Sequence, residues 1–187
     1  MTDSFVDLVD RLSRIAHAAQ FADGLNPAQW ETLRFLSRAN RYSASPGALA
    51  EYLGTTKGTA SQTLIALESK GMVARVRSEL DRRKVRLALT DAGRERLERD
   101  PLRMIEQAGA EIPDDQHPLV LSAMHGVINN ICQQTGDARF GVCDECRHKE
   151  GGCKIGSVGD QARCGLTDET LDEQELGQIC VNFGRPA

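Results

Sequence analysis

Residues 47–97 read GALAEYLGTTKGTASQTLIALESKGMVARVRSELDRRKVRLALTDAGRERL, and the hydrophobic period changes twice within them. From Lys57 to Lys70 the apolar residues Ala60, Leu64 and Leu67 recur at helical spacing. Thr55 or Thr56 supplies the N-cap, and Gly71 suits the left-handed conformation that ends a helix. Beyond Gly71 the period falls to two. Val73–Arg77 is β-branched and basic, Ser78–Arg83 is polar, and Val85, Leu87 and Leu89 alternate with Lys84, Arg86 and Ala88. This predicts a two-stranded hairpin. Thr90-Asp91 then opens another helix.

Working outward, Ser45-Pro46 is a cap followed by proline at the first helical position, and the short segment Gly47–Leu53 stops at Gly54. Asn26-Pro27 repeats that start signal ahead of Trp30, Leu33 and Leu36. Further upstream, Phe5, Leu8, Val9, Leu12, Ile15, Ala16 and Ala19 form one apolar helical stripe. On the other side, the helix from Ala92 should reach about Ala110, kinked or broken at Asp100-Pro101. A last long helix is expected over residues 115–134, with Val120, Met124, Val127, Ile128 and Ile131 on one face. The expected fold is mainly α with a small β-hairpin: a winged helix-turn-helix with long dimerisation helices, plus a metal-stapled C-terminal module.

In this order of elements the chain resembles the MarR family of winged helix-turn-helix transcription regulators. The resemblance spans roughly residues 5–134 and is densest over 47–97. Its signatures are the wing turn Asp81-Arg82-Arg83, an Asp-x-Arg, and the run Leu89-Thr90-Asp91-Ala92-Gly93 after the second strand. It implies a dimer paired through the first helix and the helices after the wing, reading two half-sites about one turn of duplex apart. It also implies that Asp81 orients Arg83 by a salt bridge. MarR-like proteins often bind small aromatic acids, but no residue here identifies a small-molecule effector. The expected division is a winged helix with dimerisation helices over 1–135, its DNA-binding core about 27–92, and a cysteine-rich module over 136–187.

Charge supports a nucleic-acid partner. The whole chain carries a formal −4, yet residues 57–99 hold 11 Lys and Arg against 6 Asp and Glu, whereas 137–187 hold 6 against 10. A local basic excess is the electrostatic footprint of a DNA-binding face. On the helix from Lys57, the positions available to the major groove are Lys57, Thr59, Ser61, Gln62 and Thr63. Gln62 can make two hydrogen bonds to adenine, and Lys57 suits a phosphate. In the wing, Asp81, Arg82, Arg83 and Lys84 are the candidate contacts, with Arg83 expected in a narrow minor groove.

Five of the six cysteines follow residue 140. The tail is too short and polar to fold on a hydrophobic core alone, so a cross-link is required. Cys143, Cys146, Cys164 and Cys180 are spaced Cys-x2-Cys-x17-Cys-x15-Cys. A zinc ribbon typically supplies two close pairs. One pair with two distant singles instead resembles the small high-potential iron–sulfur proteins and the cluster-bearing small subunits of some glycyl-radical enzymes. That resemblance implies a [4Fe–4S] cluster; a [2Fe–2S] cluster, zinc, and disulfides or no metal remain open. A Cys3His zinc site could use Cys143, Cys146, Cys153 and His148. Phe140 and Phe183 are expected to shield a cluster, and Cys132 to be a buried structural thiol. His17, His117 and His125 have no partner spacing.

No apolar run is long enough to span a bilayer, and the acids of MTDSFVDLVDRL do not suit a signal peptide, so a cytoplasmic location is expected. There is no glycine-rich phosphate loop and no nucleophile with an evident base; an enzyme is not expected. The functional expectation is a DNA-binding regulator, a repressor, whose metal centre senses redox state, oxygen or iron. The alternative is the same regulator with a structural zinc module for partner docking or stability. Because the tail follows the last long helix, its ordering is expected to act on the separation of the two recognition helices.

Overall fold

A computed structural model describes residues 4–77, 85–135, 140–152 and 162–184. Eight helices lie among them: α1 Phe5–Ala19, α2 Pro27–Arg38, α3 Pro46–Tyr52, α4 Lys57–Ser69, α5 Asp91–Leu97, α6 Arg103–Ala110, α7 His117–Thr135 and α8 Glu173–Leu176. Strands β1 (Val73–Arg77) and β2 (Val85–Leu89) pair antiparallel, with Val73 opposite Leu89 and Arg77 opposite Val85. The architecture is a mainly helical winged helix with small sheets.

The caps read from the sequence are the caps observed. Asn26 accepts from the amide of Gln29, whose side chain reaches back to the Asn26 amide. Ser45, Thr56 and Thr90 cap α3, α4 and α5 through the amides of Ala48, Thr59 and Gly93. Gly93 has a second reason to be glycine. A Cβ there would fall 2.2 Å from the carbonyl oxygen of Met72, so α5 can start against the end of α4 only without a side chain.

The run expected from Ala92 to Ala110 is two helices. Asp100 terminates the first: its Oδ1 accepts from the amide of Leu102 and from Arg34 Nη1 of α2, at 2.9 Å each. That pair is largely buried and ties the break to the core. Trp30, Leu33, Phe35, Leu49, Leu64, Leu67, Met72, Val73 and Leu87 fill the winged-helix core. Ile179, from the far end of the tail, completes it.

α1 and α7 bury no residue in the single chain. Phe5, Leu8, Leu12 and Ile15 of α1, and Leu119, Ile128 and Ile131 of α7, are exposed. Cys132 is accordingly half-buried, not buried, because the helix that carries it has no covering layer within the chain. Among the described residues no helix is long and apolar enough to cross a membrane.

The tail folds from very short pieces: β3 Gly141–Val142, a 3₁₀ turn Cys143–Glu145, β4 Lys149–Glu150, β5 Arg163–Cys164, β6 Glu169–Thr170, α8 and β7 Ile179–Cys180. β3 pairs with β7, and β4, β5 and β6 form a three-stranded antiparallel sheet. Asp172 caps α8, its side chain accepting from the Glu175 amide.

Candidate DNA-reading helix and cysteine pocket

α4 is oriented by its apolar stripe. Ala60, Leu64 and Leu67 are fully buried, so Lys57, Thr59 and Gln62 are exposed and Ser61 and Thr63 half-buried. The two half-buried residues lie at the margins of the exposed face. Thr63 donates its hydroxyl to the Thr59 carbonyl at 3.2 Å, and the Thr59 hydroxyl lies 3.0 Å from that of Thr56. Gln62 and Lys57 thus present the freest polar groups on this face. Ile65, 49 % exposed, extends it with an apolar surface that could meet a thymine methyl. β1 is locked to α4 where Arg75 Nε meets Glu68 at 2.6 Å. The wing positions Asp81, Arg82, Arg83 and Lys84 lie outside the described residues, as does Cys153.

In the tail, Cys143, Cys146, Cys164 and Cys180 line one small pocket, with Tyr42, His148, Leu166 and Leu171 among the other walls. The four cysteines come from three places in the topology. Cys143 and Cys146 bracket the 3₁₀ turn, where the Cys146 amide donates to the Cys143 carbonyl at 3.1 Å. Lys149 and Asp144, both largely buried and 2.7 Å apart, close the turn from outside. Cys164 ends β5, and its carbonyl accepts from the amide of Asp168 at 2.8 Å. Cys180 ends β7.

The sulfurs have donors of their own. Asn40 Nδ2 donates to Cys143 Sγ at 3.4 Å and the amide of Gly184 to Cys146 Sγ at 3.3 Å. The Cys180 thiol is lowered to about 6, first by a hydrogen bond from Cys143, with Asn40, the Asn182 amide and Ser43 adding to it against burial. Cys143 is pushed up by the same bond and by burial. Of this pair, Cys180 is the sulfur on which negative charge is favoured.

Phe183 packs against this cluster and over β3, where a Cβ on Gly141 would lie 2.6 Å from its ring. Phe140 does not shield the pocket. It packs edge-on to Phe35 and Tyr52 in the winged-helix core, with ring centroids at 6.2 and 5.1 Å. Tyr42 and Leu171 take the shielding positions instead.

Sequence reading missed Asn40, Tyr42 and Ser43. Asn and Ser in a loop signal only a turn, and nothing local tells that they face a segment more than a hundred residues downstream.

The donor set is four thiols with amide donors in a mostly apolar wall, which suits a group bound through thiolates. A single tetrahedral zinc needs ligands about 2.3 Å from one point. Among the described residues no three His, Cys, Asp or Glu side chains converge to hold one ion.

A family model described as MarR family matches residues 23–84. An uncharacterized HTH-type transcriptional regulator, YdgJ of Bacillus subtilis (strain 168), is 33% identical over 114 residues, covering 58% of this chain and 68% of its own. Among solved structures, the S. aureus MepR–DNA complex is similar with TM-score 0.56 and 18% identity, covering 69% of this chain and 99% of that one. Streptococcus pneumoniae FabT in complex with DNA is similar with TM-score 0.52 and 23% identity, covering 72% and 94%.

Proposed function

The chain belongs to the MarR family of DNA-binding transcription regulators, and on that premise we propose that it represses from a near-palindromic operator as a homodimer and senses redox state, oxygen or iron through a [4Fe–4S] cluster on Cys143, Cys146, Cys164 and Cys180. The observation that carries this reading is that those four cysteines line one pocket.

DNA recognition is assigned to the face of α4. Gln62 reads a base edge, Lys57 and the amides at the helix start take phosphate, and Thr59, Ser61 and Thr63 fill the contact. Asp81, Arg82, Arg83 and Lys84 of the wing are assigned to the neighbouring groove. Two copies are implied by the exposed apolar faces of α1 and α7, which a soluble chain covers with a second layer. MepR and FabT, whose structures contain DNA, share this fold.

When bound, the cluster supplies one-electron exchange and sensitivity to oxygen and to iron supply. The chain's own residues do the rest. Asn40 and the Gly184 amide hold the sulfurs by hydrogen bonds, Lys149–Asp144 fixes the first knuckle, and Tyr42, Leu171 and Phe183 exclude water.

The test is anaerobic purification followed by iron and acid-labile sulfide analysis, then operator titration before and after exposure to air. A brown protein with equal iron and sulfide, and an affinity that changes on exposure, is the expected result. A colourless protein with stoichiometric zinc and unchanged affinity would sink the cluster and favour a structural role.

A further inference from the structure

The loop between α2 and α3, residues 39–45, is bonded to the cysteine module at four consecutive positions. Asn40 is fully buried; its amide donates to the Ile179 carbonyl at 3.0 Å and its side chain to Cys143 Sγ at 3.4 Å. Arg41 donates to the Thr170 carbonyl at 2.7 Å and pairs with Glu169 at 3.3 Å and the nearly buried Glu175 at 3.2 Å. The Tyr42 hydroxyl donates to Glu169 at 2.7 Å and lies 3.1 Å from that of Thr167. Ser43 Oγ accepts from the Val181 amide at 2.7 Å.

The same residues also set the DNA-reading head. Asn40 Oδ1 accepts from the amides of Tyr42 and Ser43 and from the Ser43 hydroxyl. Its carbonyl accepts from the amides of Ser43 and Ala44. Ala44 in turn accepts from the Leu87 amide of β2 at 2.8 Å, and Ser45 caps α3. One short loop therefore touches a cysteine sulfur on one side, and on the other the helix that precedes α4 and a strand of the wing.

We infer that this loop transmits the state of the cysteine pocket to α3 and β2 within each protomer, so that Asn40, Arg41, Tyr42 and Ser43 are positioning residues for DNA recognition. The inference rests on the cluster reading above. A centre that cross-links the module keeps β7 docked and the loop pinned. Without it, two-residue strands have too little core to hold their place. Ile179 and the four loop bonds are then released together, and α3 and β2 lose their common anchor. This differs from the route suggested by chain order, in which the tail would act on the spacing between dimer helices.

The experiment uses full-length protein, iron-loaded and iron-free, with operator affinity by fluorescence anisotropy and hydrogen exchange at the amides of residues 40–49 and Leu87. Wild type is expected to change affinity about tenfold between the two forms, a usual size for coupling between sites. Exchange at Ala44 and Leu87 should be faster without iron. Arg41→Ala touches no cysteine, so it should keep its iron but lose most of that ratio, and Arg41→Lys should restore part of it. Glu169→Ala, which removes the acceptor shared by Arg41 and the Tyr42 hydroxyl and does not line the pocket, gives the same comparison should Arg41→Ala lose iron.

A full ratio in these variants, with exchange at the loop indifferent to iron, overturns the loop as the route while leaving the cluster standing. A wild-type protein that binds no iron overturns both.

Discussion

Gln62 and Lys57 share the exposed face of α4 and should fail differently when removed. Gln62→Ala should cost about 1–3 kcal/mol on the preferred operator and little on a site changed at the base it reads, since the loss is that of a bidentate base contact. Competition binding with single-base operator variants checks this; equal losses on all of them would remove Gln62 from base readout. Lys57→Ala should weaken binding on every sequence alike and reduce the slope of log affinity against log salt by about 1, as for one phosphate contact. Both residues were legible in the sequence because the buried stripe of Ala60, Leu64 and Leu67 fixes which side of the helix faces out. Asn40 was not legible. Its partners, the Cys143 sulfur and the Ile179 carbonyl, are set by tertiary docking, and no local period reports that.

Among the elements, the helices and the hairpin followed from caps and periods, and β7 is the instructive exception. A two-residue strand has no period to read, yet its Ile179 is 5 % exposed in the same core as Trp30 and Phe35. Ile179→Ala should therefore destabilise the winged helix itself by about 2–4 kcal/mol, as for a large-to-small change in a packed core. Chemical denaturation followed by the fluorescence of Trp30, the chain's single tryptophan, measures it. A loss confined to the tail, with the Trp30 transition unmoved, would show the docking to be superficial. The break between α5 and α6 was half legible: Asp100-Pro101 signals a stop, but the Arg34 pairing that fixes it joins residues 66 positions apart.

At the scale of the whole molecule, the apolar faces of α1 and α7 and the docked tail make two separate demands on stability. On the proposed reading the first is met by association, so sedimentation should report a dimer, and a charged residue at Leu12 or Ile128 should shift it towards monomer. On the same reading the second is met by a cluster bound in the cysteine pocket. Removing iron with a chelator should lower the thermal midpoint of the full-length protein, because a group bound only by the folded state stabilises that state by mass action. An identical midpoint with and without iron would place the module outside the cooperative unit. Ile179 also has a consequence in time. Chains fold from the N-terminus as they leave the ribosome, so the helix-turn-helix emerges with a place in its interior that stays empty until Ile179 is made and docks. A nascent chain that stops short of that residue carries every helix of the reading head and an incomplete core, so the head should reach its full stability only after the cysteine segment has been synthesised.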